Sequence, residues 1–332
     1  MSAGPEAAVL RGRRSRVASP WPGFVVRRLA GVACVLASLV VVTFLMVHLI
    51  PGDPARNIAG INATPEQVTY IQQQLRLDEP LPAQFADYVG ALAGGSFGES
   101  FETGEPVADV LGARLALTAE LALLAVLVVL FAGVGLGLLV AVACRSGRGW
   151  LDTAFTVATS IGGSVPEYVA GTLLVFVFAV TLGLFPAAGA DTASGLVLPV
   201  IAISIGPTAT LARIARREVA TVLEQDYMRT ARGKRISARR LYLRHALPNI
   251  LTSTLTYGGL LLAGLLGGTV VVENIFGLPG IGSRLVEAVE LRDYPVIQGT
   301  VLLLGAMACT VTLLVDVALA AIDPRSLSGD RP

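Results

Sequence analysis

Six long apolar stretches dominate this chain, and they decide which solvent it folds in. A helix rises 1.5 Å per residue, so roughly 20 apolar residues carry it across a hydrocarbon core about 30 Å thick. The stretches cover residues 29–50, 121–144, 154–185, 195–212, 250–272 and 296–322. Of 332 residues, 54% are hydrophobic and 15% are charged, whereas an ordinary soluble domain carries roughly 25% charged residues. One globular core cannot hide runs this long and this evenly apolar. The expected fold is an all-α membrane protein with six transmembrane helices. The fourth stretch holds Pro199, Gly206 and Pro207, which a membrane helix tolerates where neighbours satisfy the freed carbonyl.

Basic residues set the direction of the spans, because Arg and Lys accumulate on the cytoplasmic side. With the N-terminus inside, 20 of the 25 basic residues fall in cytoplasmic segments, ten of them between Arg213 and Arg244. Only Arg56, Arg76, Arg114, Arg284 and Arg292 fall outside. Both termini are therefore expected in the cytoplasm. The first stretch has a basic flank but no small-x-small cleavage site, so it reads as a retained helix and not as a signal peptide. The Arg13–Arg14 pair is explained by the same flank.

This frame divides the chain into a basic tail over 1–28, a six-helix domain over 29–325 and a short tail over 326–332. Outer loops are expected over 51–114 and 273–295, and an inner loop over 213–248. In the first outer loop, "TPEQVTYIQQQLRL" reads as an amphipathic helix capped by Thr64 with Pro65 at its first position, and "FGESF" and "TGEP" read as turns. The second is turn-rich, with Gly277, Pro279, Gly280 and Gly282. Fourteen outer carboxylates suit either a soluble partner or plain solvation.

The inner loop is the informative one, being far longer than the 2–8 residues typical of helix connections. It can form short helices broken around 233–237, with apolar positions at Leu223, Tyr227, Ala231, Leu241, Leu243 and Leu247. Docking to another protein fits this pattern; so does a basic stretch lying on anionic lipid.

Inside the apolar stretches, Glu167 follows Pro166 directly. A carboxylate in hydrocarbon costs at least a few kcal/mol, so it is expected to face water, a partner or a solute pathway. Lining a translocation route and pairing with a polar neighbour at the proline break are both open. Glu120 is placed near a helix N-terminus, where the dipole favours an acid. Asp316 is expected to reach water or an Arg, and His48 to be a hydrogen-bonded interface residue. Cys34, Cys144 and Cys309 lack CxxC spacing and read as small buried side chains. No metal site is assigned, because nothing spaced like HExxH occurs and His245 is unaccompanied. Gly133, Gly135 and Gly137, with Gly258, Gly259, Gly264, Gly267 and Gly268, suit close helix approach.

Several ordered segments resemble the inner-membrane permeases of dipeptide and oligopeptide ABC importers, which are related to nickel-importer permeases. These are "VHLIPGDPA", "LRLDEPLPAQFADYV", "GGSFGESF", "LGLFPAAG", "QDYMRTARGK…LYLRHALPN", "GTVVVENIFGLPGIGSRLVEAVELRDYPVIQG" and "DPR" at 323–325. The resemblance spans about Phe24 to Arg325. It implies the type I importer permease fold, half of a translocation pathway for peptides, and a location in the bacterial inner membrane. It also implies a second homologous permease, two ATPase subunits and an extracytoplasmic binding protein as partners, together with membrane lipid. The family's coupling signature, EAAxxxG followed by IxLP, falls on Arg229, Thr230, Ala231 and Arg235, then His245, Leu247 and Pro248. Asp226, Tyr227, Arg232, Gly233 and Lys234 lie within the same segment. Arg235 stands where the family has glycine; either the turn shifts to Gly233 or Arg235 adopts a left-handed conformation itself.

No GxxxxGK[ST] phosphate loop exists, since Lys234, the single lysine, sits in "RGKRI". The chain is therefore read as no enzyme and as holding no cofactor; ATP and Mg would belong to its partners. Nucleic acid is not expected at a net charge of +1. Import of nickel or another small solute on the same scaffold stays open. A secondary transporter would show internal repeats and paired intramembrane ions, which are not seen here.

Overall fold

The computed structural model describes residues 21–49, 55–56, 64–74, 78–145, 148–190, 192–237 and 240–322. Eleven α-helices are described in chain order. They are α1 (Trp21–Leu49), α2 (Pro65–Gln74), α3 (Leu81–Ala93), α4 (Val107–Cys144), α5 (Gly149–Ser164) and α6 (Glu167–Leu174). There follow α7 (Val197–Glu224), α8 (Asp226–Gly233), α9 (Leu247–Ile275), α10 (Ile281–Leu291) and α11 (Tyr294–Ile322). Two π-helical segments, Val175–Thr181 and Leu241–Ala246, extend α6 and lead into α9. Among the described residues four helices are long and apolar enough to cross a membrane, or five if the bent α5–α6 pair counts as one span.

Helix ends follow local chemistry. Thr64 and Gln67 form a reciprocal capping box at α2: the Thr64 N–H donates to Gln67 Oε1 at 2.9 Å, and the Gln67 N–H to Thr64 Oγ1 at 3.4 Å. Prolines at 80 and 106 stand just before α3 and α4. Pro166 divides the third apolar stretch. It cannot donate a backbone hydrogen bond and its ring clashes with the preceding turn, so Val165 is extended at ψ 119°. The consequence is a 99° bend between α5 and α6. That stretch is a broken pair, where the sequence pattern alone gave one interrupted run.

Helix α7 occupies the middle of the bundle. Its apolar window is 61% buried, against 11% for α1 and 6% for α11. It packs along α4, with α5, α6 and α9 on its other sides. Leu121, Ala125 and Val129 of α4, Ile203 and Leu211 of α7, Leu265 and Val272 of α9 and Phe276 form the central core. Closeness between α4 and α7 depends on glycine. A Cβ on Gly137 would stand 2.7 Å from the Ala212 carbonyl oxygen and from Ala215 Cβ. Gly133 packs against Leu211 in the same way, while Gly135 faces open space. Pro207 sits inside α7 without ending it.

On the periphery α1 packs against α11. The Gln298 amide donates to the Thr43 carbonyl at 2.9 Å. Helix α3 lies across the far end of α1, where His48 hydrogen-bonds with Gln84 at 3.0 Å and Tyr88 with Thr43 at 3.1 Å. Asp316 finds its arginine: Arg28 Nη2 lies 2.7 Å from its carboxylate.

Two sequence placements change. Helix α4 begins at Val107, so Glu120 lies more than three turns inside it, and Asp109 holds the first-turn position. Hydropathy marks where lipid begins, and the helix extends beyond it. Likewise α7 runs unbroken to Glu224, so 213–224, expected within the inner loop between spans, continues the helix of the fourth apolar stretch.

Candidate functional site

At the end of α7 the chain turns once and starts a short helix of a different character. Gln225 (φ −66°, ψ 151°) ends α7 and opens α8. The eight residues of α8 carry Met228 and Ala231 on one side, both buried, while Asp226, Tyr227, Arg229, Thr230 and Gly233 are exposed. Met228 is 0% exposed and Tyr227 is 41%. Tyr227, named with Leu223 and Ala231 among the apolar positions of this segment, lies on the exposed side, and Met228 takes the buried one. Met228 and Ala231 join Ala141, Val219, Val222, Leu223, Leu241 and Ala246 in a separate small core.

Polar contacts hold α8 on that core. The Arg232 guanidinium donates to the Leu223 carbonyl, and its Nε donates to the Met228 carbonyl at 3.2 Å. Arg145, just past α4, donates to the same Leu223 carbonyl at 3.4 Å. Two cations thus satisfy the free carbonyl at the C-terminus of α7, where the helix dipole favours positive charge. Nearby, Arg216 on α7 pairs with Asp152 on α5 at 2.5 Å. The remaining pair, Asp226 with Arg229 at 3.7 Å, is almost fully exposed and contributes little.

The turn after α8 settles the local geometry at Arg235, whose φ is +53°. Gly233 stays in the helix and the arginine takes the left-handed conformation. A side chain there costs about 1 kcal/mol or more, so tertiary packing on both sides has to hold the turn. Ile236 packs on the small core immediately after it. Leu241 and Ala246 are buried and Leu247 is half-buried. The side chains of Leu243, His245 and Pro248 lie outside the described residues, as does the tail motif at 323–325. Lys234 and Arg235 are exposed beside the outward face of α8. The segment therefore presents a polar, positively charged surface on a short helix fixed from behind.

Glu167 opens α6 directly after the bend. It is half-buried, and its carboxylate lies against α9 at Gly268, where an added Cβ would meet Glu167 Oε2 at 2.6 Å. Glycine at 268 makes the room this acid occupies.

The opposite end of the bundle carries a clamp that sequence reasoning missed. Glu273, fully buried at the end of α9, accepts from Thr118 Oγ1 at 2.7 Å and from the Gly282 and Ser283 N–H groups at 2.6 and 3.1 Å. The last two are free donors of the first turn of α10, so one carboxylate caps a helix other than its own. Directly after Ser283, on the same helix, the buried Arg284 reaches Glu102 at 2.8 Å, Glu287 at 2.9 Å and Asp293 at 3.5 Å. Burial opposes its charge, but the Glu287 and Glu102 carboxylates outweigh that and raise its pKa above the ordinary arginine value. Asp293 in turn accepts from Ser100 Oγ at 2.5 Å and from the Phe101 N–H at 3.1 Å. The tight turn at 98–107, closed by the Ser100 N–H to Glu105 carbonyl bond at 2.9 Å, is thereby fastened to α10. The expected turn "TGEP" lies in it, and "FGESF" overlaps its start. The missed signal was a buried acid eight residues before a Gly-Ile-Gly helix start.

Among the described residues no three His, Cys, Asp or Glu side chains gather as metal ligands. Cys34, Cys144 and Cys309 are free thiols.

Residues 133–328 match the family described as binding-protein-dependent transport system inner membrane component, and residues 23–122 match its N-terminal region. The glutathione transport system permease protein GsiC of Escherichia coli (strain K12) is 40% identical over 302 residues, 91% of this chain and 97% of that protein. The probable peptide ABC transporter permease protein y4tP of Sinorhizobium fredii (strain NBRC 101917 / NGR234) is 38% identical over 310 residues, 91% of this chain and 98% of its own length. A solved structure of the MetNI methionine ABC transporter in inward-facing conformations shares the fold, with a TM-score of 0.55 over 64% of this chain and 96% of that one at 14% identity. The chain belongs to the inner-membrane permease components of binding-protein-dependent transport systems.

Proposed function

We propose that this chain forms half of the translocation pathway of an ATP-driven peptide importer. A second homologous permease supplies the other half, and an extracytoplasmic binding protein delivers the peptide. Six spans, with α9 and the α5–α6 pair counted among them, place both termini and α8 in the cytoplasm, in keeping with the arginine distribution. Two ATPase subunits engage the outward face of α8 through Asp226, Tyr227, Arg229, Thr230, Gly233, Lys234 and Arg235. Arg232 and Ala231 hold the helix to α7, and Leu247 carries the displacement into α9. Glu167 lines the route at the α5–α6 bend, where a carboxylate attracts the amino terminus of a peptide.

The observation that carries this reading is the geometry of α8, a short helix whose polar face is exposed and whose apolar face is buried against the ends of α4 and α7. A push on such a helix moves the central helix of the bundle. Peptide as the solute rests on the glutathione and peptide permeases that align with 91% of the chain. The test is uptake into proteoliposomes holding the complete assembly. Labelled di- and tripeptides accumulate only with ATP inside the ATPase-facing compartment. Accumulation that proceeds without ATP, driven by an ion gradient, contradicts the proposal in favour of a secondary transporter; ATP-dependent uptake of nickel in place of peptide contradicts the solute.

A further inference from the structure

The groove between the start of α1 and the end of α11 has a composition that the transport reading does not use. It encloses a cleft of about 670 Å³, lined by Phe24, Arg27, Arg28 and Val35 of α1 and by Cys309 and Asp316 of α11, among others. Its volume falls within the roughly 300–1,000 Å³ of ordinary ligand sites. Gly31 forms part of the floor, and a Cβ there would meet nothing within 4 Å. The cleft is charged at one end and apolar along the rest.

The charged end is not neutral. Arg28 is paired with Asp316 at 2.7 Å and stacks over the Phe24 ring at 5.8 Å from its centroid. Arg27, also exposed, has no ion pair or hydrogen bond among the described residues. Among the described residues, two guanidinium groups against one carboxylate leave one surplus positive charge. Arginine presents donors in a fork that matches phosphate oxygens. Below Arg28 the cleft runs on to residue 35 of α1. At 1.5 Å per residue that is roughly 10 Å, enough for the upper part of one acyl chain. Trp21, partly exposed and edge-on to Phe24 at 6.2 Å, stands where an indole ring sits at a membrane–water boundary.

We propose that this cleft holds one anionic phospholipid, its phosphodiester on Arg27 and Arg28 and one acyl chain lying along Gly31, Val35 and Cys309. The single negative charge of a phosphatidylglycerol headgroup balances the surplus positive charge, and the apolar depth accepts a chain from one leaflet. A second permease helix has no need of the exposed Arg27, and a soluble phosphate has no use for the apolar depth. The inference does not depend on which solute crosses the membrane, so its failure leaves the importer reading intact.

The test is native mass spectrometry of the full-length, delipidated chain with added phosphatidylglycerol, phosphatidylcholine or glycerol 3-phosphate. The wild type is expected to retain one phosphatidylglycerol and to bind phosphatidylcholine at least about 5-fold more weakly, the factor that one surface cation supplies. Arg27→Gln is expected to bring phosphatidylglycerol down to the phosphatidylcholine level. Gly31→Phe, whose side chain enters open space and so leaves the fold intact, is expected to expel the lipid. Equal retention of the two lipids, no effect of Arg27→Gln, or displacement by glycerol 3-phosphate alone overturns the proposal. So does protection of Cys309 from alkylation by the second permease subunit in a lipid-free complex.

Discussion

The carboxylate of Glu273, at the end of α9, accepts the Gly282 N–H of α10 at 2.6 Å and closes that helix with a charge from its neighbour. The same carboxylate takes the Thr118 hydroxyl of α4, and Thr118 Oγ1 in turn accepts the Ile281 N–H at 2.9 Å. Three helices therefore meet at one buried acid. Arg284, Asp293 and Ser100 extend the connection to the turn after α3. This end of the bundle behaves as one piece because these contacts are buried, where an unmade hydrogen bond is expensive.

Replacing Glu273 with Ala leaves the Gly282 and Ser283 N–H groups and the Thr118 hydroxyl without their acceptor. The expected loss is about 3 kcal/mol, and Glu273→Gln, which keeps one carbonyl oxygen, loses about half of that. Thermal unfolding of the purified chain in detergent checks both. A Glu273→Ala protein as stable as the parent contradicts the clamp.

Gly137 and Gly135 are two residues apart on α4 and should respond oppositely. Gly137→Ala places a methyl group 2.7 Å from the Ala212 carbonyl oxygen and forces α4 from α7, at a cost of roughly 1–3 kcal/mol. Gly135→Ala meets nothing within 4 Å and is expected to leave stability unchanged or raise it slightly, since alanine favours helix. The paired melting curves decide whether helix contact or general flexibility is what these glycines supply.

Arg235 at φ +53° fixes the direction in which the chain leaves α8. Arg235→Gly adopts that conformation without a Cβ clash and is expected to fold as well as the parent. Arg235→Val, β-branched in a left-handed turn, is expected to cost about 1–2 kcal/mol. If the turn had shifted to Gly233, valine at 235 would be harmless and Gly233→Val would carry the penalty; melting the three variants separates the cases.

Glu167 fills the space left by Gly268 and makes no ion pair among the described residues. With Glu167→Gln the volume is kept and the charge is lost, so the chain is expected to reach the membrane at normal levels while peptide uptake falls about 10-fold. Normal uptake with normal expression removes Glu167 from the pathway; loss of the protein itself assigns the residue to folding.

Much of this architecture is legible in the residues, and the failures share causes. Helices α1, α4 and α11 face the outside of the bundle, so their apolar runs declare them. Helix α7 carries Pro199, Gly206, Pro207 and Ser204 because other helices, not lipid, are its solvent. The arginines from 213 to 217 suggested a loop, yet charges end a membrane span without ending a helix. That Met228 and not Tyr227 is buried was not legible, because an eight-residue helix offers too few turns for its period to fix the face. The clamp was invisible for a different reason: Ser100 and Asp293 are 193 positions apart, and only the folded chain brings them together. At Arg235 the sequence left two possibilities, and backbone geometry chose between them.

The account turns on α8 as the element that an ATPase grips. The most direct measurement is disulfide cross-linking between Arg229→Cys, on the outward face, and cysteines placed along the ATPase surface, in a background where Cys34, Cys144 and Cys309 are replaced by serine. Cross-links that form with the Arg229→Cys chain, change yield between ATP-bound and nucleotide-free states, and vanish for Met228→Cys on the buried face are the predicted result. No cross-link to the ATPase in either state, or equal yields from positions 228 and 229, contradicts it.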